Sequence, residues 1–230
     1  MLDRIRNAEA VFFDLFHTMY SHRSSGVRGF GTSGILGVPQ DEWNRLLFEG
    51  SDARARGIVT DKYEIIRQIA HQIDPSIPES KIREAADYRE SRFYEGLASL
   101  DAPKSAVIRE LKLQGKKIGL ISNADAVEVK GWFVSPISRL FDSVVFSYAV
   151  GYVKPEPDIY RIALDALGVS AERSVFVGDG GSNELIGARK LGFTTILTTE
   201  IIRDLWPERI PERLPYADFV IDRFEQLIGL

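Results

Sequence analysis

The sequence predicts an α/β fold built on a doubly wound parallel sheet with an inserted α-helical cap, and three observations predict it. Apolar runs of strand length recur at Ala10 to Phe13, Lys117 to Ile121, Ser143 to Phe146, Ser174 to Val177 and Phe193 to Leu197. Helical periodicity separates most of them, the rhythm of parallel strands joined by right-handed crossovers. Residues 21–95 interrupt that rhythm with helical patterns alone.

The elements read in order as follows. Ala10 to Phe13 is wholly apolar and ends on Asp14, as a buried strand opening into a polar turn does. Gly26 to Gly37 is rich in glycine and serine and reads as a loop. Helices are expected near Gln40 to Arg54, Asp61 to Ile73 and Glu79 to Tyr94, and an insertion there would cover the strand ends and exclude water. Further on, Pro103 to Gln114 is bounded by Gly115, Pro155 to Leu167 by Gly168, and Ser182 to Leu191 by Gly192, each with the glycine that helix ends favour. Ala217 to Ile221 adds a late strand. The expected division is a core of residues 1–20 and 96–230 and a helical cap of residues 21–95.

Composition narrows the function. The chain of 230 residues is 44% hydrophobic, enough for a packed core. Its 29 basic and 33 acidic residues give a net charge of −4 without a dense basic run, which disfavours nucleic acid as a partner. Cysteine is absent, so thiol chemistry and thiolate metal sites are excluded, any metal has to be bound by oxygen or histidine, and hard cations fit best. No run approaches the ~20 apolar residues of a membrane span, and Met1 to Asn7 lacks a leader-like apolar stretch. A cytoplasmic protein without a membrane partner is the expectation; oligomeric state is not legible.

Polar residues follow the strands where a doubly wound sheet binds its ligands. Asp14 is the candidate nucleophile. Ser122 and Asn123 follow the second strand and offer small donors for an oxyanion or phosphate. Lys154, before Pro155-Glu156-Pro157, can neutralise a nucleophile and a bound phosphate. Asp179 leaves the strand Ser174 to Val177 through Gly178, and Glu184 lies five residues on. Carboxylates converging at one edge repel unless a cation joins them, and Mg²⁺ takes carboxylates, waters and phosphate oxygens. Glu184 has a plainer reading too, as an acid complementing a helix start capped by Ser182 or Asn183.

Taken together, Asp14 with Thr18, Ser122 with Asn123, Lys154, and Gly178-Asp179 with Glu184, in this order at strand ends, resemble the haloacid dehalogenase superfamily of hydrolases. The resemblance runs from about Glu9 to Leu197, and the insertion resembles that superfamily's first type of cap. It implies a covalent aspartyl intermediate on Asp14, and Mg²⁺ held by Asp14, the main-chain carbonyl of Phe16 and Asp179; Glu184 is a further candidate for the metal from its own position, beside its helix-start reading. The resemblance further implies Ser122 and Lys154 on the transferred group, and Thr18 stabilising the turn. A small phosphorylated metabolite is the implied substrate.

The departure is Phe16, where phosphatases of that superfamily carry a second aspartate as acid and base. Such proton transfer is commonly worth ~10²–10⁴ in rate, so its loss weighs most on poor leaving groups. His17 is the candidate substitute acid, with a turn contact as the alternative; His22 is a weaker candidate. Haloacid dehalogenases also lack the second aspartate, but they use no metal and employ a cap arginine, for which Arg45 beside Trp43 is an approximate match. A phosphonate-cleaving reading needs a cap lysine, and Lys62 and Lys81 lack its context. A third alternative is a weakened member that binds a phosphorylated metabolite or a protein. Trp43, Phe48, Tyr63, Tyr88, Phe93 and Tyr94 are expected to pack the cap, and Arg23 and Arg28 to be solvated.

Overall fold

The structure, a computed structural model, describes residues 1–21, 31–100 and 102–229. His22, Arg23 and Arg28 therefore lie outside the described residues. Chain order runs α1 (Leu2–Asn7), β1 (Ala10–Phe13), α2 (Gly31–Leu36), α3 (Gln40–Glu49), α4 (Ser51–Ala55), α5 (Lys62–Ile73) and α6 (Glu79–Ala98). It continues with α7 (Ala102–Leu113), β2 (Lys117–Ser122), β3 (Ser143–Phe146), α8 (Ser147–Val150), α9 (Pro157–Leu167), β4 (Ser174–Gly178) and α10 (Glu184–Leu191). Last come β5 (Thr194–Thr198), α11 (Ile202–Leu205), α12 (Ile210–Arg213) and β6 (Phe219–Ile221).

All six strands are parallel, in the order β3-β2-β1-β4-β5-β6. The first strand is thus central, and every residue of it is buried. Strand alternation divides its side chains between two layers: Val11 and Phe13 join Val175, Val177, Ile118 and Leu120 against α7, while Ala10 and Phe12 join Phe176 and Ile121 against α9 and α10. The chain leaves β1 for β2 on one side and returns to β4 on the other. That reversal opens a crevice at the carboxyl ends of β1 and β4.

The helices α2, α3, α5 and α6 enclose a core of their own, with Leu36, Trp43, Ile65, Ile66, Ile69 and Ile82 inside it, and Val127 from the segment after β2 inserts into it. Asp61 caps α5 by accepting from the Glu64 amide at 2.9 Å. Three expectations are corrected here. The glycine-rich loop is helical over Gly31–Leu36, because Ser33 Oγ donates to Gln40 Oε1 at 2.6 Å and Leu36 is buried in the cap core. The expected helix over Gln40 to Arg54 breaks at Gly50 into α3 and α4. The last cap helix runs on to Ala98 because Phe93 and Leu97 bury their side chains in the main core.

Cap and core are pinned by charge and by close approach. Arg89 on α6, 6% exposed, donates to Asp125 at 2.8 Å and to Glu128 at 2.8 Å. Arg56 reaches Glu156 at 2.6 Å. Gly57, at φ +72°, lies so close to α8 that a Cβ would sit 2.1 Å from the Tyr148 carbonyl oxygen. With two carboxylates sharing Arg89, burial and the charge of Asp125 push the Glu128 carboxyl up to about 7. The folded state therefore keeps a proton that the unfolded chain releases near 4.5, so Glu128 lowers stability progressively from about pH 4.5 to about pH 7. Solvent reaching its 24%-exposed side chain moderates the effect. Glu128→Gln is expected to flatten this slope, read as urea midpoints of variant and parent from pH 4.5 to 7.5; parallel curves would refute it.

Candidate active site

Asp14 is held at the crevice by the sheet itself. Its amide donates to the Val177 carbonyl at 2.9 Å, extending the pairing of β1 with β4 by one residue, and the chain then turns sharply. The turn closes through Met19 and Tyr20 amides on the Leu15 carbonyl, and it places His17 at φ +63°. Thr18, fully buried, donates to Asp14 Oδ2 at 2.9 Å, while Lys154 Nζ donates to Oδ1 at 2.5 Å. Both oxygens of the carboxylate are therefore oriented. Burial raises the Asp14 carboxyl above its ordinary value, Lys154 opposes that rise and Asp179 adds to it.

Lys154 itself is positioned by Asn123, whose side chain accepts from the Lys154 amide at 2.7 Å and donates to its carbonyl at 3.0 Å. The lysine also donates to Glu184 Oε2. Despite burial, the two carboxylates hold its ammonium above its ordinary range. Glu184, 1% exposed, folds back over β4 rather than facing solvent, and its Oε1 accepts from the Gly180 amide at 3.0 Å. A Cβ at Gly178 would lie 2.1 Å from that oxygen, so glycine there makes room for it. Burial and the charge of Asp14 push the Glu184 carboxyl well up. Ser182 and Asn183 adopt left-handed φ of 52° and 54° and neither caps α10 through its side chain.

One contributor carries no sequence signal. Arg213, from α12, donates to both Oδ2 and the main-chain oxygen of Asp179 at 2.7 Å each, and the Gly181 amide donates to Oδ1 at 3.1 Å. Asp14, Asp179 and Glu184 each present an oxygen within 4.8 Å of the others, all three residues buried. Three carboxylates lie beside two cations, Lys154 and Arg213, and this oxygen-only donor set fits a divalent hard cation, whose charge would favour the ionised acids. Ser122 Oγ is buried and has no hydrogen-bond partner among the described residues. Such an orphaned donor costs stability unless a ligand oxygen takes it.

Above these residues lie two adjoining cavities of about 590 and 410 Å³ that share Phe16, His17, Phe48, Asn123, Lys154 and Ser182. Phe16 packs its ring against Phe93 at 5.9 Å and Tyr20 at 6.2 Å. His17 lies 3.2 Å from Ser21 Oγ through Nδ1 and meets the Trp206 ring edge-on at 4.7 Å. Trp43 is in the cap core as expected, but Phe48 is not: it is 81% exposed and lines both cavities. Arg45 pairs with Glu49 at 2.7 Å on an exposed helix face, Lys62 pairs with Asp87 and Glu90, and neither they nor Lys81 line these cavities.

A model of the haloacid dehalogenase-like hydrolase family matches residues 8–192. Glyceraldehyde 3-phosphate phosphatase of Methanothermobacter thermautotrophicus is 28% identical, over 95% of this chain and 97% of that protein. Among solved structures, CbbY from Rhodobacter sphaeroides in complex with phosphate is 27% identical with a TM-score of 0.64, over 97% of both chains. L-2-haloacid dehalogenase from Xanthobacter autotrophicus shares the fold at 21% identity and a TM-score of 0.61, over 96% of both chains.

Proposed function

The chain belongs to the haloacid dehalogenase-like hydrolases, and from that premise we propose that it is a Mg²⁺-dependent phosphatase of a small phosphorylated metabolite. The observation that carries the reading is the buried set of Asp14, Asp179 and Glu184 around one point. The phosphatase and phosphate-bound relatives support it.

In this reading an Asp14 oxygen bonds to phosphorus as the ester oxygen leaves with its electron pair, and water then releases phosphate and restores the carboxylate. Ser122 Oγ binds a phosphate oxygen, while Asn123, expected to offer its side-chain amide to phosphate, has that amide on the Lys154 backbone and so serves by positioning the lysine. Lys154 neutralises both nucleophile and transferred group. Asp14, Asp179, Glu184 and the Phe16 carbonyl would hold Mg²⁺, which would supply charge neutralisation to the phosphate. Phe16 brings no proton donor. His17 is the imidazole lining the cavity among the described residues, and it is the candidate for the exchange of that proton.

Carbon-halogen hydrolysis is the second reading, favoured by Phe16 and disfavoured by Asp179 and by Arg45 lying outside the cavities. Phosphate release from acetyl, phenyl and alkyl phosphates, with Mg²⁺ and with EDTA, separates the two. Mg²⁺-dependent release favouring good leaving groups is expected. Chloride release from a 2-chloroacid that persists in EDTA would overturn the phosphatase reading, and ligand-induced stabilisation without turnover would favour a binding role. No helix among the described residues is long and apolar enough to cross a membrane.

A further inference from the structure

We infer that the substrate is an aryl phosphomonoester whose flat ring is seated between Phe48 of the cap and Trp206 of the core; this rests on the phosphatase reading. Helix α3 buries Trp43 at 3% exposure in the cap core and turns Phe48, five residues on, away from it at 81% exposure. A phenylalanine side chain left in water forgoes the gain of burial, which an apolar ligand can recover. The residue lines the same cavity as the nucleophile, and Trp206 lines it from the core. Phe16 adds a third ring to that lining.

The chemistry of the leaving group agrees with the rings. Position 16 holds a phenyl group packed on Phe93 rather than an acid, so the leaving oxygen departs without a carboxyl proton. Aryloxide is a far weaker base than alkoxide and tolerates that loss. The balance is simple: Asp14 bonds to phosphorus, the phosphorus–oxygen bond to the ring breaks and the aryloxide takes up a proton. Water then cleaves the aspartyl phosphate to inorganic phosphate. Aromatic rings stack with orientation-dependent gains beyond their buried area, which a saturated ring of similar bulk does not reproduce.

The test uses phosphonates that cannot be hydrolysed, titrated calorimetrically into the intact protein with Mg²⁺. 1-Naphthylphosphonate is expected to bind at least tenfold tighter than methylphosphonate, and phenylphosphonate at least threefold tighter than cyclohexylphosphonate. Phe48→Ala, an exposed position where folding is not at risk, and Trp206→Ala should each shrink the naphthyl-to-methyl ratio at least fivefold. Equal affinities across the series, or a Phe48→Ala loss shared equally by all four, would overturn the aromatic seat. Acetyl phosphate, which has no ring, reports the phosphatase reading separately. Turnover of it without any ring preference removes the aryl assignment alone, whereas no release from any phosphate removes both.

Discussion

Asp14→Asn is expected to lower Mg²⁺-dependent phosphate release by at least ~10⁴-fold, on the scale seen when an enzyme's covalent nucleophile is removed. An amide cannot form the aspartyl phosphate, so no residual covalent route remains through this position. The fold is expected to survive. Thr18 and Lys154 donate to different oxygens of Asp14, and an asparagine offers only one oxygen, so one donor is lost. Lys154 keeps Glu184. Against that loss, a neutral amide removes a carboxylate that burial disfavours in its charged form, and the two effects offset. Thermal melts of parent and variant should therefore differ by only a few degrees while rates separate by orders of magnitude. Parent-like turnover by the purified, well-folded Asp14→Asn variant would sink the nucleophile assignment.

The parts of this fold that sequence reading reaches are those set by local chemistry. Ala10–Phe13 is legible because a central parallel strand, buried on both faces, must be apolar throughout, and its carboxyl end is where the run stops. The nearness of Asp14, Lys154, Asp179 and Glu184 follows from parallel strands delivering their following residues to one edge. What escapes depends on partners distant in sequence. Arg213 lies 34 residues beyond Asp179 in a short helix without a motif, and only the path of the chain after β5 brings it back. Phe48 escapes for a different reason: a helical period shows which face is apolar, not whether that face meets a core or a cavity. Helix α2 opens Gly31-Thr32-Ser33-Gly34, residues of poor helical propensity, so its helicity comes from the cap packing around Leu36. At the end of the sheet, β6 begins at Phe219 rather than Ala217, because the Ala217 amide closes the preceding turn on the Leu214 carbonyl at 3.2 Å.

Lys154→Met should strike stability and activity together. The ammonium, 3% exposed, is the shared partner of Asp14 and Glu184, and removing it abandons both, since Arg213 is engaged with Asp179. Breaking a buried pair from one side costs about 3–5 kcal/mol, because the abandoned charge remains in a poorly solvated place. For a chain of this size that corresponds to a melting temperature lower by roughly 10 °C. Turnover should fall by ~10²–10³-fold, the usual scale for losing one fixed charge aimed at a transferring group. The double variant Lys154→Met with Glu184→Gln separates the two losses. Taking away one abandoned carboxylate should restore much of the urea midpoint, since the two positions are coupled and their costs do not add, yet it returns no cation to the phosphate and so no activity. Mg²⁺ provides an independent readout without catalysis: with less positive charge at the site, the single variant should gain more thermal stability from millimolar Mg²⁺ than the parent does. An unchanged midpoint in Lys154→Met would mean that its two carboxylate partners are neutral in the folded protein, and the charge balance drawn around Asp14 would then be wrong.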